Sequence, residues 1–200
     1  MVRPDPPAAE RAARPDDDVL LGAARDRILA VGLRRTTLTD VARRAGVSRM
    51  TMYRRWPDMG SLVADLMTRE WSTLARLAAD DAVGDTARER VVDGLVGGVR
   101  ALRTHPVFRR IVELDPEILL PYLVDRRGTS QDHILDQLTA AIEAGRADGS
   151  LRAADPALLA RTALLTAHGF VVSGGTMTDR VTLDQLDAEL RLLLDRYLAP

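Results

Sequence analysis

Apolar residues recur along this chain at the spacing of helices. Leu20, Ala24, Ile28 and Val31 line one face, and Gly32-Leu33 closes the run as a glycine C-cap with its apolar contact. Thr37 stands three residues before Asp40, the form of a reciprocal capping box, so a helix is expected to open there and stop at Gly46. Ser48 caps a short helix from Arg49 to about Trp56, which Pro57 ends. A longer helix is expected over 58–79, with Leu62, Leu66, Trp71 and Leu74 apolar. Thr86 and Glu89 open the next, whose Val91, Val92, Leu95, Val96, Val99 and Leu102 form a stripe that His105-Pro106 breaks. Short helices over 107–114 and 116–124 follow, then one over 130–147.

The last two helices differ in pattern. Asp155-Pro156 is an N-cap with proline in the first helical position, and the helix it opens, to Ser173, is apolar nearly all round until Gly174-Gly175. Thr182 and Gln185 open the final helix, where Leu183, Leu186, Leu190, Leu193 and Tyr197 make a narrow heptad seam. No segment shows the period-two, β-branched pattern of a strand. The expected fold is all-α: an arm over 1–15 that reads as disordered, a small three-helix unit over 16–60 and a larger helical body over 61–200.

Charge divides the chain. The net charge is −1, yet residues 22–56 hold nine arginines against Asp26 and Asp40, a local +7 that leaves −8 for the remainder. A basic segment beside an acidic body suits a polyanion-binding module on a regulatory body. All 28 basic residues are arginine, a compositional bias rather than a mechanism. Cysteine is absent, which excludes disulfides and thiolate chemistry. No signal-peptide core and no uninterrupted apolar stretch of membrane-spanning length is apparent, so a cytoplasmic protein without membrane contact is expected.

The segment Thr37-Leu-Thr-Asp-Val41-Ala42-Arg-Arg-Ala45-Gly46-Val47-Ser48-Arg49-Met50-Thr51-Met52-Tyr53-Arg54-Arg55-Trp56 carries the chemistry. Two short helices joined by Gly46-Val47-Ser48 form a helix-turn-helix, and the second can enter a major groove about 12 Å wide. The spacing resembles that of the TetR family of bacterial repressors across residues 19–66. The matching features are the threonine-opened helix, Val41-Ala42, the Ala45-Gly46-Val47-Ser48 turn and Tyr53-Arg54-Arg55-Trp56, with tryptophan in place of phenylalanine. The approach Gly149 to Pro156 is similar to the family as well.

That resemblance implies a DNA-binding repressor acting as a homodimer. It assigns base edges to Arg49, Met50 and Thr51 and phosphates to Tyr53 and Arg55, with Arg54 beside them. Thr37 and Ser48 are helix caps whose hydroxyls also face the DNA side. Arginine can form two hydrogen bonds to guanine, and a tyrosine hydroxyl can donate to phosphate. Val41, Ala42, Val47, Met52 and Trp56 are expected to pack the module instead. One departure stands out: Met59 occupies the position where family members usually place a phosphate-binding lysine, behind Asp58, which would compete for the helix N-terminus.

For the body the resemblance implies dimerisation through helices 155–173 and 182–197 and a pocket for an unidentified small-molecule effector. Gly94, Gly97 and Gly98 within one helix point either to a cavity, to a close helix approach or to compositional drift. Trp71, His105, Phe108, Tyr122, His168 and Phe170 are the candidate pocket residues. The three histidines lack metal-ligand spacing, and phosphate-loop, nucleophile-elbow and dinucleotide fingerprints are absent, so neither an enzyme nor a cofactor is expected. Asp80-Asp81 and the pair Glu113 and Asp115 read as solvated surface. The alternative function is a dimeric small-molecule-binding protein whose DNA head has weakened, which Met59 favours.

Overall fold

Side-chain caps set most helix starts in the computed structural model, which describes residues 17–200; the arm expected over 1–15 lies outside them. Ten α-helices occur among the described residues: α1 (Asp17–Val31), α2 (Leu38–Arg44), α3 (Arg49–Arg55), α4 (Met59–Asp80), α5 (Ala87–Thr104), α6 (Pro106–Leu114), α7 (Leu120–Val124), α8 (Thr129–Ala147), α9 (Pro156–Ser173) and α10 (Leu183–Leu198). Capping boxes at Thr37/Asp40, Thr86/Glu89 and Thr182/Gln185 open α2, α5 and α10, and Asp155 caps α9. Each cap supplies an oxygen to first-turn N–H groups that have no partner within the helix.

Two stretches depart from the sequence pattern. Residues 116–124 do not form one helix: a 3-10 turn over Pro116–Ile118 precedes α7, because Pro121 has no N–H to continue the ladder. Gly174-Gly175 does not stop the chain's coiling, which tightens into a 3-10 turn over Gly174–Met177.

The buried apolar side chains fall into two clusters. The first joins α1, α2 and α3 through Leu20, Ile28, Leu38, Val41, Met52 and Trp56, and continues past residue 60 into Leu62, Leu66 and Met67 of α4. The second joins α5, α8, α9 and α10. Trp71, near the middle of α4, packs on both. Helix α4 therefore connects the basic module to the body.

Gly94 and Gly98 line a cavity between α4, α5, α8 and α9, and Gly94 also marks a close helix approach. A methyl added at Gly94 would lie 3.4 Å from the Ala78 carbonyl oxygen and 3.5 Å from the Ala82 Cβ, so α5 approaches α4 closely there. At Gly97 and Gly98 the nearest atom is the Ala78 Cβ at 3.9 Å, an ordinary contact.

In helix α10 the face packed into the chain coincides only in part with the expected seam. Asp187, Leu190, Leu194 and Leu198 are buried, whereas Leu183 and Leu193 are exposed. An ion cluster lies on the packed face: Asp187 Oδ2 accepts from Arg100 Nε at 2.8 Å and Arg103 Nη2 at 2.7 Å, both on α5. Asp115 is a second correction. It is 2 % exposed rather than solvated, because its Oδ2 accepts the Leu33 N–H at 3.0 Å and its Oδ1 lies 3.2 Å from Arg34 Nε, fastening the end of α6 to the end of α1.

Helix α9 is long and apolar enough, with its 3-10 extension to Met177, to meet the dimensions of a membrane span, contrary to the sequence expectation. Packing explains that apolarity: Leu159, Ala160, Ala163, Leu164, Ala167 and Val171 are buried against α5, α8 and α10.

Candidate nucleic-acid interface and ligand cavity

Helix α3 is built as a surface held from behind. Gly46 turns the chain at φ +69°, a conformation that favours glycine, and Ser48 Oγ then accepts the Thr51 N–H at 3.1 Å to start the helix. Met52 and Trp56 point inward, fully buried beside Val41 and Ala42, with Val47 half-buried. The Trp56 indole N–H donates to Asp65 Oδ2 at 2.8 Å, tying the end of α3 to α4. With that face fixed, helical geometry sends Arg49, Met50, Tyr53 and Arg54 outward. All four are exposed, Met50 to 73 % and Tyr53 to 51 %. Thr51 is half-buried and its hydroxyl is 2.9 Å from that of Ser48.

The arginines differ in availability. Arg25 pairs with Glu70, Arg34 with Glu117, Arg43 with Asp40, and Arg44 with Asp26. Arg55 is held by Asp17 of α1 and stacks over the Trp56 ring at 5.5 Å. Arg49 and Arg54 make no ion pair among the described residues, so the free cations of α3 lie on its outward face. Thr37 is exposed and engaged with Asp40.

The start of α4 is already occupied. Asp58 Oδ1 accepts the Ser61 N–H at 2.7 Å, and that bond, followed by the Ser61 side chain, holds the Asp58 carboxyl below the ordinary aspartate range. A charged carboxylate therefore caps the helix where a phosphate would bind. Met59 beside it packs half-buried on the first core.

A cavity of about 370 Å³ opens between α4, α5, α8 and α9, a size suited to a small organic molecule. Leucine, valine and alanine make up most of its wall; Arg90, Gln137 and His168 are its polar side chains. A second cavity of about 240 Å³ adjoins it, sharing Trp71, Leu102, Ile134, His168 and Val171. Of the expected pocket residues, Trp71 and His168 line both cavities, and Phe108 and Tyr122 line the second. His105 and Phe170 line neither. His105 meets the Trp71 ring edge-on at 5.2 Å with its Nε2 3.4 Å from Glu70 Oε2, and Phe170 packs on the body core. Burial pushes both His105 and His168 below the ordinary histidine value. Gln137, Arg90 and Ser130 were not anticipated, because a polar side chain carries no local sign that its helix turns it toward a cavity.

Known proteins match this arrangement. The model of the bacterial regulatory proteins of the tetR family matches residues 20–66. A helix-turn-helix transcriptional regulator of Mycobacterium bovis is 34% identical over 179 residues, covering 90% of this chain and 92% of the relative. In three dimensions the chain is similar to QsdR, a TetR-family repressor of R. erythropolis, with a TM-score of 0.67 at 16% identity over 89% of this chain and 93% of that one. It is also similar to AlkX, a TetR-family repressor from Dietzia, with a TM-score of 0.68 at 18% identity over 95% and 97% of the two chains. A basic helix-turn-helix on a helical body, matched along nine-tenths of its length by a regulator of the same kind, makes this chain a member of the TetR family of DNA-binding transcriptional regulators.

Proposed function

We propose that the chain is a cytoplasmic repressor that binds a pseudo-palindromic operator as a homodimer and releases it when a small molecule enters the body. Residues 16–60 form the DNA-binding head, and residues 61–200 form the body. The observation that carries the reading is the outward face of α3, where Arg49, Met50, Tyr53 and Arg54 stand exposed over a buried Met52–Trp56 backing.

Two copies of α3 would occupy successive major grooves about 34–36 Å apart. Arg49, Met50 and Thr51 then read bases, while Tyr53, Arg54 and Arg55 hold phosphates, with Thr37 and Ser48 at the flanking caps. Dimerisation through α9 and α10 is supported by Leu158, Leu165 and Val172, exposed every seventh residue along α9. Ligand response is supported by a continuous set of contacts: Trp71 lines the cavity, packs on His105, and His105 meets Glu70, which pairs with Arg25 of α1. A ligand favours release to the extent that it binds the non-DNA-binding state more tightly.

The second reading, a ligand-binding dimer with a weakened DNA head, is favoured by Asp58 and Met59 at the start of α4. Fluorescence anisotropy with duplex DNA from upstream of the protein's own gene separates the two. The repressor reading expects tight binding whose logarithm falls linearly with log salt, by about 0.9 for each phosphate contacted. Binding no tighter than to random duplex at physiological salt would leave the second reading in its place.

A further inference from the structure

Helix α9 turns one imidazole inward among Leu164, Ala167 and Val171. This side chain, His168, stands in the wall common to both body cavities and makes no hydrogen bond or ion pair among the described residues. Its ring nitrogens remain accessible from the space it lines, unlike the sealed Nδ1 of His105. Polar groups on an interior wall are usually satisfied within the fold. His168 is left to find its partner in whatever fills the cavities. Trp71, the other polar-tipped side chain of the shared wall, likewise donates its indole N–H to nothing among the described residues.

Burial lowers the proton affinity of His168, and no charged side chain contributes. At neutral pH the ring is therefore uncharged, with one N–H to donate and one nitrogen to accept. Charge is confined to exposed parts of the two walls. In the first cavity Arg90 is exposed, and its Nη1 donates to the Gly84 carbonyl at 3.0 Å. In the second, Arg127 is paired with Asp132, and Arg126 lies exposed over the Tyr122 ring. No carboxylate lines either cavity among the described residues. An ion lodged beside His168 would lose its hydration without a counter-charge, whereas a neutral oxygen gains a hydrogen bond there. Leu74, Leu95 and Leu138 line the first cavity beyond this point, and Met67, Phe108 and Leu119 the second.

We infer that the effector is an uncharged, elongated apolar molecule with a carbonyl oxygen near its middle, held by His168 while its two arms lie in the two cavities. This rests on the reading of the body as the effector-binding part. The arms give affinity by burial. The oxygen gives selectivity, because His168 and Trp71 can both donate, and a group that only accepts suits them together. An oxygen at the end of the chain would place its polar atom among leucines, or would leave one cavity unfilled.

Calorimetric titration of the full chain with 6-undecanone, 2-undecanone and undecanoate tests it without DNA. 6-Undecanone is expected to bind about three- to tenfold more tightly than 2-undecanone, the range for one net hydrogen bond, and undecanoate more weakly than either. His168→Phe keeps a ring of similar size and removes no existing hydrogen bond; it is expected to abolish the preference for the mid-chain ketone. The infrared carbonyl stretch of bound 6-undecanone should lie below its position in hexane, and should return toward it in His168→Phe, a change that altered packing alone would not give. Ala141→Phe, narrowing the first cavity, is expected to weaken both ketones. No binding of 6-undecanone, tightest binding of undecanoate, or a preference and carbonyl stretch unchanged in His168→Phe would overturn the inference. Anisotropy of a preformed DNA complex on adding 6-undecanone is a separate measurement. Calorimetric binding without DNA release would count against the ligand-responsive reading and leave the site standing.

Discussion

Arg55 on α3 and Asp17 on α1 hold each other across the head: Arg55 Nε lies 2.9 Å from Asp17 Oδ1, and Nη2 closes on Oδ2. A phosphate approaching Arg55 must compete with this carboxylate. Asp17→Asn frees the guanidinium and removes a negative charge near the DNA. The expected outcome is a rise in affinity of a few fold for operator and random duplex alike, modest because both partners are half exposed. Unchanged affinity for both duplexes would mean that Arg55 stays on Asp17 when DNA is bound.

Trp56 stands where the family has phenylalanine, and its indole N–H gives the reason. It donates to Asp65 on α4 from a side chain only 2 % exposed. Trp56→Phe keeps an aromatic core but loses that hydrogen bond and some volume. A loss of about 1–3 kcal/mol is expected in denaturant unfolding, with DNA affinity of the folded protein retained. A variant as stable as the parent would show that the bond to Asp65 contributes nothing net.

Met59→Lys restores a cation at the start of α4. The long stem can keep Met59's packing while the ammonium reaches outward. Affinity for any duplex is expected to rise, and the slope of log affinity against log salt to steepen by about one for each head. If the slope does not change, Asp58 keeps phosphate away from this helix start.

Much of the fold was legible because caps are local. Thr37 with Asp40, Ser48 with Thr51, and Asp155 with Ala157 lie within three residues of each other, so a sequence pattern specifies them fully. The outward face of α3 was legible for the same reason, since burial of Met52 and Trp56 leaves Arg49, Met50, Tyr53 and Arg54 outside. What escaped depends on partners far away in the chain. Asp187 meets Arg100 and Arg103 at separations of 87 and 84 residues, and no local pattern marks this aspartate as buried. The cavity was half legible. Aromatic type nominated Trp71 and His168, which line it, and equally His105 and Phe170, which do not, because residue type does not say which way a helix face turns.

The Asp187 cluster gives the chain a pH dependence of known sign. Burial pushes its carboxyl up, but hydrogen bonds and charge from Arg103 and Arg100 outweigh that and leave it below the ordinary aspartate value of 3.8. A carboxyl lowered in the folded state contributes stability that is complete above 3.8 and is lost as pH falls through the folded value. Asp187→Asn is expected to cost about 2–4 kcal/mol at neutral pH, less than for a wholly buried pair because half of the Arg100 side chain remains in water. Protonated aspartate and asparagine have nearly the same shape, so melting temperatures of the two proteins should converge between pH 7 and about pH 2. A gap that stays constant across that range would mean that shape, not charge, holds α10 in place.

Leu165 bears on the proposed dimer most directly. It is 73 % exposed at the centre of an α9 stripe that runs from Leu158, 57 % exposed, to Val172, 46 % exposed. Burying a leucine is favourable by about 1.5–3 kcal/mol, and in a twofold interface each residue acts in both copies. An aspartate there would place two like charges near the symmetry axis in a desolvated contact. Leu165→Asp is therefore expected to sediment as a monomer at micromolar concentration. Affinity for a two-half-site operator should fall at least about a hundredfold, because the second head no longer adds its binding to the first. The helical content should not change, since Leu159, Ala163, Leu164 and Ala167, which pack α9 into its own chain, are untouched. A Leu165→Asp protein that remains dimeric would move the interface off this face of α9, and with it the geometry that sets the two copies of α3 one turn of DNA apart.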